Sequence, residues 1–207
     1  MLHEEHLYSI ALRATPLIGD VNFMRLVEIT GSAKETWHLS KKLLKEIPGI
    51  GSKITKEIGN EKYLKFAEKE IDFCEKNNIK INLRHLKELP KLLSNCDDAP
   101  AILYQKGSLD ESLTPISIVG TRNMTSYGRH FIEEFLEILK NKKVLIVSGL
   151  ALGTDGCAHT EALKNQLKTA GVLAHGLHLI YPSQHKKLAA EILDQDGALL
   201  TEFNSSD

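Results

Sequence analysis

Two rhythms of apolar and polar positions divide the chain. In the first 78 residues apolar side chains recur three and four apart, the spacing of amphipathic helices. Leu7, Ile10, Ala11 and Ala14 share one face, and Pro16 ends that segment. A second helix fits 20–30, closed by Gly31, and short helices fit 33–38 and 40–46. From Ser52 the pattern is helical to about Asn77, with a break near Gly59. Its later part carries Tyr63, Phe66, Ala67, Ile71 and Cys74 on one stripe, which reads as core packing rather than a cofactor box.

Residues 78–115 form a junction, with short strands at 79–82 and 102–104 and loops at 95–100 and 106–115. From 115 onward strands and helices alternate. Strands fit 116–119, 144–147, 169–174 and 198–202; helices fit 127–141, 155–167 and 184–194. This alternation predicts an α/β domain with a parallel sheet, helices on both faces and right-handed crossovers. The reading is a helical domain over 1–78 and an α/β domain over 79–207.

Composition narrows the classes. The 207 residues suffice for one ordinary domain and a small one. Hydrophobic residues make up 42% and charged residues 26%, as in soluble globular chains. No apolar run approaches a membrane span. The stretch Met1 to His6 is polar and acidic, unlike a secretory signal, so a cytoplasmic location without membrane contact is expected. Cys74, Cys96 and Cys157 form no C-x-x-C pair, which argues against a disulfide scaffold or a thiolate zinc site. A net charge of −1 leaves room for nucleic acid only at a local patch.

Two glycine-bearing turns carry the chemistry. The first, Gly120-Thr121-Arg122-Asn123, follows the strand Ile116–Val119. Arg122 presents a planar fork suited to phosphate oxygens or to stacking on a base; an internal ion pair is the competing role. Thr125 or Ser126 is a natural N-cap for the next helix. The second turn is Ser148-Gly149-Leu150-Ala151-Leu152-Gly153-Thr154-Asp155. Its spacing matches neither G-x-G-x-x-G nor a Walker A loop. Asp155 reads as a helix cap that would repel a phosphate, so an anion is expected over Arg122 and Ser148-Gly149. His159 reads as a packed helical histidine. Tyr181 could stack a base, and Lys186 and Lys187 could follow backbone phosphates; a packed ring and a solvated pair are the alternatives. No catalytic set and no metal spacing emerge, and no cofactor is called for.

Ile47-Pro48-Gly49-Ile50-Gly51-Ser52-Lys53 matches the hairpin of helix-hairpin-helix modules. Gly49 and Gly51 permit the turn, and Lys53 adds a cation that could meet a DNA backbone. A plain structural turn explains the segment equally well.

These segments together resemble the DprA/Smf family of DNA-processing proteins. The resemblance rests on I-V-G-T-R with Y-G at 118–128, V-S-G-L-A-x-G-x-D-x-x-A-H at 147–159, G-L-x-x-I-Y-P at 176–182 and G-A-L-L-T-E-F at 197–203. The lead-in at 89–107 and I-P-G-I-G at 47–51 look similar as well. The resemblance implies a Rossmann-like sheet domain behind a helix-hairpin-helix or SAM-like helical domain. It implies sequence-tolerant binding of single-stranded DNA, protection of incoming strands in transformation, and help in loading the RecA recombinase. It places the DNA-contacting arginine at Arg122, near Ser148-Gly149. Three departures stand out. Leu152 stands where the family often has a cation, and His185 and His178 replace a usual Asn and a common Asp. The third is length: the family normally continues past Thr201-Glu202-Phe203 with an F-P-x-R-N segment, further strands and the surface for homodimer formation, so this chain looks C-terminally truncated. A Rossmann-like nucleotide-binding or nucleoside-monophosphate-processing enzyme is the alternative. It would need a P-G-G-type loop with a downstream Glu, which the sequence lacks.

Overall fold

The computed structural model describes residues 2–206, and by their contacts these divide into two compact units between Leu103 and Tyr104. The helical reading placed the division at 78/79; the strand and turns of 79–103 belong with the first unit by contacts.

The first unit opens with α1 (Leu2–Arg13), α2 (Asp20–Thr30), α3 (Ala33–His38), α4 (Lys41–Glu46), α5 (Ser52–Glu57) and α6 (Glu61–Lys76). Their limits follow from local chemistry. Gly31 adopts φ 98° and returns its N–H to Val27 O, which ends α2. Ser32 and Ser40 cap α3 and α4 by accepting from Glu35 N and Leu43 N. Gly59, at positive φ, and the cap Asn60 make the break expected near Gly59 and separate α5 from α6. Helix α1 packs on α6 and α3, burying Ile10, Ala11 and Leu12 with Ala67, Ile71 and Cys74. Strand β1 (Ile79–Leu83) and two short turns unforeseen from periodicity, a 3-10 turn at Arg84–Leu86 and α7 (Lys91–Ser94), complete the unit.

The second unit is α/β and Rossmann-like. Its elements are β2 (Ile102–Gly107, whose first two residues cluster with the first unit), β3 (Thr114–Ser117), α8 (Ser126–Ile138), β4 (Val144–Ser148), α9 (Thr154–Lys164), β5 (Lys168–Val172), α10 (Lys186–Asp194) and β6 (Ala198–Thr201). The strand order is β2-β6-β5-β4-β3. Strands β3 to β6 run parallel, and β2 pairs antiparallel with β6. Because each crossover steps the same way along the sheet, right-handed connections carry α8, α9 and α10 to one face. Packing agrees. Ile146 lies with Ile132, Leu136, Ala158 and Ala162, while Leu199 lies with Leu150, Leu163, Leu188 and Ile192. The α/β class is as the sequence indicates; within this unit the three crossover helices share a single face.

Helix α9 is buried along nearly its whole length, as the middle helix of the three must be. His159 is fully buried there, with Nδ1 2.7 Å from Thr169 Oγ1, whose hydroxyl donates to Ile146 O at 2.8 Å. Burial pushes its pKa down to about 4, so it packs as a neutral ring. Among the described residues no helix is long and apolar enough to cross a membrane.

Candidate nucleic-acid interface

At the carboxyl ends of β3, β4 and β5 the chain makes three turns, the position where open parallel sheets place ligands. The ladder of β3 stops at Ser117, two residues before the apolar run ends. Val119 is therefore left 77% exposed, and Gly120 to Asn123 stand free of the sheet.

Direct bonds hold the first two turns against each other. Thr154 donates both its N–H and its hydroxyl to Thr121 O, each at 3.1 Å. Ser148 donates its hydroxyl to Ile118 O at 2.6 Å. Gly153, at φ 79°, completes the junction: a Cβ there would run into the carbonyl oxygens of Thr121 and Arg122. Only glycine satisfies both the backbone conformation and that approach. Thr121 Oγ1 also accepts from Asn123 N at 3.1 Å, and Thr125 caps α8 by accepting from Gly128 N at 3.1 Å.

Asp155 corrects an expectation. It does not cap α9, whose N-cap is Gly153 without a side-chain bond. Its buried carboxylate reaches back and accepts from Ala151 N at 3.3 Å, bracing the second turn from inside. The Ser148 hydroxyl is likewise turned inward, which leaves the backbone of Gly149 at the surface position.

The third turn is folded by His175. Its Nε2 accepts from Tyr181 N at 3.3 Å, which places the ring proton on Nδ1, 3.0 Å from Gly176 O. Tyr181 is held at the rim with 67% of its surface exposed.

Arg122, Gly149, Leu152, His175 and Tyr181 thus line one open pocket of about 120 Å³. That is well below the ~300–1,000 Å³ of small-molecule pockets, so it suits a phosphate or the edge of one base rather than an enclosed nucleotide. Arg122 is exposed, and among the described residues it has no ion pair or hydrogen-bond partner. The competing role, an internal salt bridge, is not what its side chain does there.

The remaining candidates lie elsewhere. Lys187 lines a separate cleft with Arg129, His185 and Glu191, and its ammonium is 3.4 Å from the Glu191 carboxylate. Lys186 is exposed at the start of α10. His185 Nδ1 lies 2.8 Å from Leu150 O. In the first unit, the Gly49–Gly51 hairpin joins α4 to α5, with Lys53 exposed. Ile47, Ile50 and Ile54 anchor that hairpin in the core, and Arg25 donates to Pro48 O at 3.2 Å. Thr154 and His175 were not foreseen as site-building residues. A hydroxyl just after a glycine turn was the signal for Thr154; His175 acts through a local loop bond that leaves no spacing pattern.

A fold of this kind, with paired glycine turns at the carboxyl ends of parallel strands, is a Rossmann-like domain. The family model described as DNA recombination-mediator protein A matches residues 80–207, and the chain belongs to that family. Protein Smf of Synechocystis sp. is 32% identical over 98% of this chain and 52% of its own length. The chain therefore spans about half of that relative. The X-ray structure of DNA processing protein A from Streptococcus pneumoniae superposes with a TM-score of 0.75 at 25% identity, covering 97% of this chain and 69% of that one. A structure of DNA processing protein A from Helicobacter pylori, described as giving insight into its single-stranded DNA binding mode, matches 60% of this chain and 55% of its own at 30% identity and a TM-score of 0.50.

Proposed function

We propose that this chain binds single-stranded DNA without sequence preference at the carboxyl ends of β3, β4 and β5. The observation that carries the reading is Arg122: exposed, unpartnered among the described residues, and set at the rim of a pocket with Gly149 and Tyr181. A guanidinium so placed neutralises a backbone phosphate, and the exposed Gly120, Thr121 and Asn123 and the Gly149 backbone border the same path. The inward Ser148 hydroxyl positions the turn. Lys186, exposed at the start of α10, offers a further phosphate contact outside that pocket, whereas Lys187 is engaged by Glu191 in a separate cleft. The single-stranded DNA binding named for the Helicobacter pylori relative supports the substrate class.

In this reading the protein is a binding protein rather than an enzyme, acts in the cytoplasm, protects strands during DNA-mediated transformation and helps load the RecA recombinase. Competition tests it. A labelled oligo-dT bound to the protein is challenged with unlabelled oligo-dT, oligo-dA and a duplex of equal length. Both single strands are expected to displace it similarly, and the duplex poorly. Displacement by duplex as effective as by single strand would overturn the assignment.

A further inference from the structure

Helix α8 buries one face under the sheet and exposes apolar rings on another. Tyr127 is 79% exposed and Phe131, one turn later on the same face, is 56% exposed. Phe131 is already set in place, its ring parallel to that of Phe135 at 6.0 Å between centroids, with the outer side open. Such rings on a surface helix lose favourable burial unless something covers them.

The charges around them point to what does. From Gly120 to Ile132 the chain holds no Asp or Glu, while it holds Arg122, Arg129 and His130. Among the described residues neither arginine is in an ion pair. The first acid is Glu133, and His130 is engaged with Glu133 and Glu134 at 3.6 and 3.2 Å. The rings therefore follow the Arg122 turn in an acid-free run that ends at Glu133, while Arg129, two residues from each ring, faces the cleft it lines with Lys187, Glu161 and Glu191. An apolar peptide would find nothing in particular there. A polyanion with flat, unpaired bases finds both parts of its chemistry.

We propose that Tyr127, with Phe131 one turn beyond, is a base-stacking platform for the strand whose phosphate Arg122 holds. This rests on the function proposed above and adds what discriminates unpaired bases from a duplex. Every base has a π-face, so such a platform is indifferent to sequence. Glu133 and Glu134 set its far end by repelling further phosphates.

The test compares two labelled probes of equal length, oligo-dT and an abasic deoxyribose-phosphate strand, against the full chain and its Tyr127→Ala, Tyr127→Phe and Arg122→Ala variants. Tyr127 is exposed, so its replacement leaves folding intact, which circular dichroism verifies. Tyr127→Ala is expected to weaken oligo-dT binding about tenfold while barely changing the abasic probe. Tyr127→Phe should bind as the parent does, and Arg122→Ala should lose on both probes. If Tyr127→Ala binds oligo-dT as the parent does while Arg122→Ala is impaired, the platform is wrong and the Arg122 site stands. Equal losses on both probes would also overturn stacking. A folded parent that binds neither probe would overturn both readings.

Discussion

Thr154 gives two hydrogen bonds to one acceptor, its own N–H and its hydroxyl both ending on Thr121 O at 3.1 Å. The first residue of α9 thereby fixes the turn that carries Arg122. The arginine's side chain is exposed and without a partner among the described residues while its turn is tied to α9, a combination that suits a phosphate contact made without reorganising the backbone.

Thr154→Val should therefore cost stability and binding together. It removes a buried hydroxyl while keeping shape, at about 1 kcal/mol for one hydrogen bond, and of the two bonds from Thr154 to Thr121 O it leaves the amide's alone. Urea unfolding and oligo-dT titration of the same sample check this. Thr154→Ser should restore both. Gly153→Ala is the harsher companion, because its φ of 79° and the Thr121 and Arg122 carbonyls both oppose a Cβ.

His159 sets an acid limit on the second unit. Its pKa in the fold is depressed to about 4, chiefly by burial, against about 6.5 in an unfolded chain. Between those values the unfolded state binds the extra proton, so its contribution is complete above about pH 6.5 and fades as pH falls toward 4. The full effect is on the order of 3 kcal/mol at most. Unfolding measured from pH 7 to 4.5 should show falling stability. His159→Gln should start less stable at pH 7 and show a flatter slope.

Asp20 works in the first unit with the opposite charge and a similar direction. Burial opposes its ionisation, but hydrogen bonds from Arg13 and from Ala101 N at 2.9 Å outweigh that, holding its carboxyl below the usual range. A depressed carboxyl contributes stability above its unfolded pKa of about 3.9 and loses it as pH falls through the folded value. Asp20→Asn is expected to cost roughly 1.5–3 kcal/mol, the range for a hydrogen bond to a charged group. Thermal melts at pH 7 and pH 3 should show the parent and variant converging at the lower pH.

The strand–helix alternation of the second unit was readable because its buried strands are short apolar runs separated by longer amphipathic helices. The end of β3 was not. Ile118 and Val119 continue the apolar run past the last ladder residue, because the chain leaves the sheet there and exposes Val119 beside the site. Asp155 misled for a related reason: an acid in the first turn of a helix looks like a cap, whereas its partner, Ala151 N, lies in the turn behind it. The placement of α8, α9 and α10 on one face depends on strand order, which no local pattern encodes. Arg122 could be singled out by its place after a strand and glycine, but its lack of an ion-pair partner is a property of the folded surface.

The most direct test of the account is the affinity of oligo-dT for the parent chain and for Arg122→Ala, each measured by fluorescence anisotropy at two salt concentrations. The account predicts parent binding that weakens as salt rises. The variant should bind less tightly, with a log–log salt slope shallower by about 0.7, the loss of one phosphate contact on a single strand. Equal affinity and equal slope for the two proteins would contradict it.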